Sequence, residues 1–87
     1  MRYEWDGWKA QINLEKHGVE FADATGVFQD IHAIMVSDES QGEDRYTTIG
    51  SDAYGRILVI VHAWRRQHIR IISARVANRR ERRQFEG

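Results

Sequence analysis

The chain has 87 residues, 41% of them hydrophobic, and no cysteine or proline. That length supports one domain with a single core, and the absence of cysteine excludes a disulfide framework, a thiolate metal site and a cysteine nucleophile. The formal net charge of zero conceals a dipole: residues 56–87 hold nine arginines against Glu81 and Glu86, a balance of +7, and residues 1–55 hold four bases against eleven acids, a balance of −7. Arginine outnumbers lysine eleven to two, which favours forked, planar recognition of phosphate over diffuse attraction. No stretch reaches the roughly 18 apolar residues of a membrane span, and Met1 is not followed by a signal-peptide apolar run. A cytoplasmic protein without membrane contact is expected.

In chain order, Arg2 to Trp5 predicts a short first strand. Asp6 then reads as the N-cap of a helix over Trp8 to His17, with Trp8 and Ile12 one turn apart. Gly18 closes it in the left-handed conformation, after Lys16 and His17 in the last turn, where the helix dipole favours positive charge. Phe21, Ala24 and Phe28 recur at helical spacing and predict a second short helix. Ile31 to Ser37 reads as a strand and Ser37 to Asp44 as a polar turn. Arg45 to Gly50 reads as the next strand, closed by the turn Ser51 to Gly55. Ile57 to Ala63 is apolar on both faces, the pattern of a central strand covered on both sides.

Arg65 and Arg66 predict a tight turn, with His68 to Ser73 returning as the partner strand. Under that register 62 faces 69 and 63 faces 68, so His62 and His68 fall on opposite faces and do not form a metal pair. His32 has no companion at ligand spacing. Ser73 predicts the cap of a C-terminal helix running to about Phe85. On that helix Ala74, Ala77, Glu81 and Phe85 form one stripe, and Arg75, Arg79, Arg82 and Arg83 another. So thin an apolar stripe predicts a helix loosely held, or ordered by a partner. The expected fold is one α+β domain over residues 1–87: a small antiparallel sheet of three to four main strands, two N-terminal helices and one C-terminal helix.

The residues then carry a resemblance. EWDGWKAQINLEKHGVEFADATGVF at 4–28, GEDRYTTIG at 42–50, GRILVIV at 55–61 and IRIISARVANRRERRQFE at 69–86 resemble, in order, the BrnT family of toxins from bacterial type II toxin–antitoxin pairs. The resemblance implies a RelE-like fold and an endoribonuclease that arrests translation. It also implies a ribbon-helix-helix (BrnA-like) antitoxin as partner, the complex repressing its own operator DNA. Two departures stand out: Phe85 replaces an aromatic hydroxyl, and Trp64-Arg65-Arg66-Gln67 lacks the glycine many relatives carry at the hairpin turn.

RNA cleavage without a metal uses the substrate's own 2′-hydroxyl as nucleophile. The protein must supply a base, an acid and positive charge for the phosphorane. His17, beside Lys16, is the candidate for proton transfer, since imidazole titrates near neutrality; the alternative is that both residues only cap their helix. Arg65 and Arg75 are candidates for phosphate contact, Arg75 at the expected helix start; the alternative for Arg75 is an ion pair with an N-terminal acid. Arg70 either points at the site or lies over the sheet. Arg79, Arg82 and Arg83, with Arg80, are expected to steer RNA or meet the antitoxin. Glu43 either pairs with Arg45 or reaches the site, and the three tryptophans read as core or interface anchors. No metal or cofactor is implied. The competing reading is a non-catalytic nucleic-acid-binding or protein-interaction module.

Overall fold

A computed structural model describes residues 2–38 and 44–87. The elements are β1 (Arg2–Glu4), α1 (Gly7–His17), α2 (Phe21–Ala24), a 3-10 segment (Thr25–Gln29), β2 (Ile34–Asp38), β3 (Arg45–Ser51), β4 (Ile57–Arg65), β5 (His68–Val76) and α3 (Arg79–Glu86). The expected turn between Ser37 and Asp44 lies mostly outside the described residues, as does Glu43.

The strands form one five-stranded sheet in the order β1-β5-β4-β3-β2. This corrects the expectation of three to four antiparallel strands. β2 to β5 are antiparallel, but β1 lies parallel to β5, with Arg2 opposite His68 and Glu4 opposite Arg70. The strand pattern of the sequence shows that residues 2–5 are extended, not which edge they join.

The cross-strand register assigns each side chain to a face. Leu58, Ile60, His62 and Trp64 of β4 share one face with Ile69, Ile71 and Ala74 of β5. Phe21, Ala24 and Val27 pack there with Val19 to form the main core, flanked by Tyr3, Phe28 and Trp64. The opposite face carries a smaller cluster, Ile49, Val59 and Ala77, covered by Ile57 and Phe85. β4 is therefore covered on both sides along part of its length, as its composition predicts.

The C-terminal helix begins later than expected. β5 runs to Val76, and Asn78, not Ser73, is the N-cap: its side chain accepts from the Glu81 N–H while the Glu81 carboxylate accepts from the Asn78 N–H. That reciprocal arrangement is a capping box. The strand persists past Ser73 because of a bulge. Val61 faces Ser73 and His62 faces Ile71, leaving Ile72 as the extra residue. The bulge shifts the alternation by one, so Ala74 returns to the core face. Ala74 and Ala77 thus precede α3, and the expected helical stripe does not exist as written. Nor is α3 held by apolar contact alone. Phe85 packs on the second cluster, and Arg75 grips Glu81 through both terminal nitrogens, each 2.7 Å from a carboxylate oxygen.

The hairpin turn is displaced by one residue from the expected position: Arg65 pairs with His68, and Arg66 and Gln67 occupy the turn. Both have positive φ, 49° and 73°, as a two-residue hairpin of the I′ kind requires and as glycine or asparagine would satisfy at less cost. The shift leaves one conclusion intact, because His62 and His68 still fall on opposite faces.

A candidate RNA groove along the last strand

The position of α1 is set by one buried side chain. Asp6 caps the helix by accepting from the Lys9 N–H at 3.0 Å, and Gly18 ends it with φ 70°. Between these ends, Asn13 is 6% exposed and acts as a surrogate strand. Its Nδ2 donates to the Ala74 carbonyl at 2.8 Å and to the Val19 carbonyl at 3.0 Å, and its Oδ1 accepts from the Ala74 N–H at 3.1 Å. β1 ends opposite Arg70; Asn13 takes up the β5 edge where β1 leaves it. Backbone groups at a buried edge need such partners.

This clamp lays α1 alongside β5 and creates two connected grooves. One is lined by Asp6, Lys9, Arg45, Arg70, Ile71 and Ile72. The other is lined by Lys9, Ile12, Asn13, Lys16, His17, Ile72 and Ser73. Lys9 and Ile72 line both, so the two grooves adjoin, with the bulged Ile72 between them. Of the expected site residues, Lys16 and His17 line one groove and Arg70 the other. Both readings of Lys16 and His17 are compatible with the geometry, since the last turn of α1 is also a groove wall.

Arg65 and Arg75 lie elsewhere. Arg65, Arg70, Ser73 and Arg75 all belong to the sheet face opposite the main core, but Arg65 sits at the hairpin and Arg75 at the other end of β5. A strand rise of about 3.3 Å per residue, with one residue taken up by the bulge, separates them by about 20 Å. They do not converge on one phosphate. Arg75 is not at a helix start, and the ion pair weighed for it exists with a different acid: Glu81 of α3, not an N-terminal residue. The pair raises the arginine's pKa through the Glu81 hydrogen bond and lowers that of Glu81 through the same contact. Arg79, Arg82 and Arg83 lie exposed on α3.

Sequence reasoning missed Lys9, Arg45 and Asn13. Lys9 and Lys16 are seven residues apart, two helical turns, and that spacing could have paired them. Arg45, Ala63 and Arg70 stand in one cross-strand row, with a small residue between two arginines, but the row depends on a register no local pattern reveals. His62 is the opposite case, a core histidine. It is fully buried, with Nε2 2.7 Å from Thr48 Oγ1. Phe28 meets its ring edge-on at 4.8 Å, and Tyr46 stacks on it at 5.9 Å. Burial pushes its pKa down to about 4, so the ring is neutral at pH 7.

A small α+β domain thus carries, beside its last strand, grooves whose lysines, histidine and arginines outnumber Asp6, a lining suited to an anionic ligand. The particular family is given by comparison: the family model described as "Ribonuclease toxin, BrnT, of type II toxin-antitoxin system" matches residues 5–81, and the chain belongs to that family. The fold is similar to the crystal structure of the Brucella abortus ribonuclease toxin BrnT, with a TM-score of 0.73 and 27% identity over 91% of this chain and 99% of that one. No curated protein matches the chain significantly. The protein is therefore a ribonuclease toxin of a type II toxin–antitoxin system, with RNA as target and an antitoxin as partner. Among the described residues no helix is long and apolar enough to cross a membrane.

Proposed function

We propose that the chain is a metal-independent endoribonuclease acting through the RNA 2′-hydroxyl. The observation that carries this reading is the pair of adjoining grooves between α1 and β5, one lined by Lys9, Arg45 and Arg70 with Asp6, the other by Lys9, Lys16 and His17. Four fixed cations there, Lys9, Lys16, Arg45 and Arg70, outnumber Asp6; they favour a phosphate and its developing charge and oppose a divalent metal ion by repulsion. In the proposed reaction a base takes the 2′-hydroxyl proton, the 2′-oxygen bonds to phosphorus and the bond from phosphorus to the 5′-oxygen breaks. An acid protonates the departing oxygen, leaving a 2′,3′-cyclic phosphate and a 5′-hydroxyl. His17 is the group suited to exchange protons. Lys16, beside it, binds the reacting phosphate, and Arg70, in the adjoining groove, binds a neighbouring one.

Arg65, at the hairpin, contacts a different phosphate of the same strand. Arg75 acts indirectly, by fixing α3 and with it the steering charges Arg79, Arg82 and Arg83. The antitoxin is proposed to be of ribbon-helix-helix type, and the complex to repress its own operator.

The test is end analysis of RNA incubated with purified toxin in the presence of a chelator. Cleavage is expected to persist and to leave 2′,3′-cyclic or 3′-phosphate ends. His17→Ala is expected to lower kcat about 100-fold or more, the usual worth of positioned proton transfer. Intact RNA at high toxin concentration rejects the enzymatic reading, and 3′-hydroxyl ends reject the 2′-hydroxyl mechanism.

A further inference from the structure

The edge of the sheet farthest from the channel has features that the ribonuclease reading does not use. β2 is the last strand on that side, and among the described residues no strand pairs with its outer edge. Its side chains are apolar toward both faces: Ile34 and Val36 on one, Met35 on the other. They are exposed by 37%, 58% and 54%, and Ile31 just before them by 90%. A strand edge facing water is ordinarily guarded by charge, proline or a bulge, and residues 34–36 have none of these. Beneath it, on the main-core face, lies an apolar cavity of about 240 Å³ lined by Phe28, Ala33, Met35, Thr48, Trp64 and Ile69. An open edge, an apolar strand and an apolar cavity at one place are the three requirements for capturing an extended peptide.

We propose that β2 is the docking edge for the antitoxin, which adds an extended apolar segment, flanked by basic residues, as a sixth strand. The proposal rests on the toxin–antitoxin reading for the existence of a partner. Charge selects its chemistry. Asp30 precedes the apolar run, and Asp38, which stands opposite Arg45 of β3, and Asp44 follow it. A peptide with basic residues at its ends and apolar residues between complements that sequence. Main-chain hydrogen bonds to the β2 edge supply affinity, and alternate side chains over Met35 enter the cavity and supply specificity.

The experiment co-expresses the toxin with the protein encoded in the adjoining reading frame and measures binding and neutralisation. Val36→Lys and Met35→Lys each place a charge on an exposed position of the edge. Each is expected to weaken binding about 100-fold or more, as loss of an interface hot spot does. RNA cleavage by the variant toxins alone should be unchanged and no longer suppressed by the antitoxin. Retained binding and neutralisation in both variants overturns the proposal. So does loss of binding in Trp8→Ala with the β2 variants intact, because Trp8 is 73% exposed on α1 and offers the rival surface. A toxin that is dimeric alone and becomes monomeric in Val36→Lys also overturns it, by giving the edge to a second copy. Failure of the wild type to bind that protein at all would fall on the toxin–antitoxin pairing instead.

Discussion

Lowering the pH should destabilise this protein through one buried ring. His62 is fully buried, and burial takes its pKa from the ordinary 6.5 to about 4. A depressed folded-state value means that the unfolded chain takes up the proton first. The contribution of His62 is therefore complete above pH 6.5 and is lost as the pH falls toward 4. With those two values, linkage gives a loss of about 2 kcal/mol between pH 8 and pH 5 and about 3 kcal/mol by pH 4. That is a substantial part of the 5–15 kcal/mol typical of a domain. The assay is denaturant unfolding from pH 8 to pH 4.5, for the wild type and for His62→Gln. Glutamine keeps a polar group toward Thr48 and removes the titration. The variant should be less stable at pH 8, and its stability should fall about 2 kcal/mol less than wild type by pH 5. Parallel curves, or a His62 resonance titrating near 6.5, would refute the reasoning.

Three further outcomes follow from the contacts described. Asn13→Ala removes three buried hydrogen bonds and strands backbone groups of Val19 and Ala74; a loss of about 3 kcal/mol in unfolding free energy is expected, with RNA cleavage weakened because α1 carries Lys16 and His17. Gln67→Gly relieves a left-handed turn position, φ 73°, and should stabilise by about 0.5–1 kcal/mol without changing cleavage; a loss of stability would show that Gln67 makes a contact worth more than its backbone strain. Glu81→Gln weakens both the capping box and the Arg75 pair. Partial exposure of that pair limits the expected loss to about 1 kcal/mol, with α3 exchanging its amide hydrogens faster. The lowered pKa of Glu81 means that acidification through the carboxylate range should loosen wild-type α3 in the same way.

Much of the fold was legible because local chemistry decides it. Asp6 and Gly18 bound α1 as their side-chain and backbone preferences require, and the apolar run of β4 marks the strand covered on both sides. The C-terminal helix starts later than Ser73 predicts because Asn78 is the stronger cap. The reciprocal Glu81, three residues after Asn78, distinguishes them, and Ser73 has no such partner. The bulge at Ile72 left a trace as well, in the adjacent Ile71 and Ile72 that break the alternation of β5. Pairings remote in sequence left none. Nothing local to Asn13 says that it completes the edge of a strand 61 residues away. The candidate site was legible by residue type more than by place: Lys16 and His17 line one groove and Arg70 the adjoining one, while Arg65 and Arg75 are held apart by the length of the strand.

The sheet order also constrains how an antitoxin docked on β2 could silence the enzyme. An added strand outside β2 lies four strand spacings from β5, about 19 Å, farther than any side chain reaches. Docking at the edge alone therefore comes within two spacings of Arg45 on β3 but does not reach Lys16 and His17 beyond β5, and neutralisation requires more of the partner to cross the arginine-bearing face toward Arg70. A peptide limited to the edge-binding segment should bind the toxin, and its binding should be abolished by Val36→Lys. RNA cleavage should continue at saturating peptide, whereas the full antitoxin suppresses it. Binding is measured by calorimetry and cleavage on a fluorescent RNA. A short peptide that requires Val36 yet silences cleavage as completely as the intact antitoxin would break this reasoning, because inhibition would then have to travel through the sheet instead of across its surface.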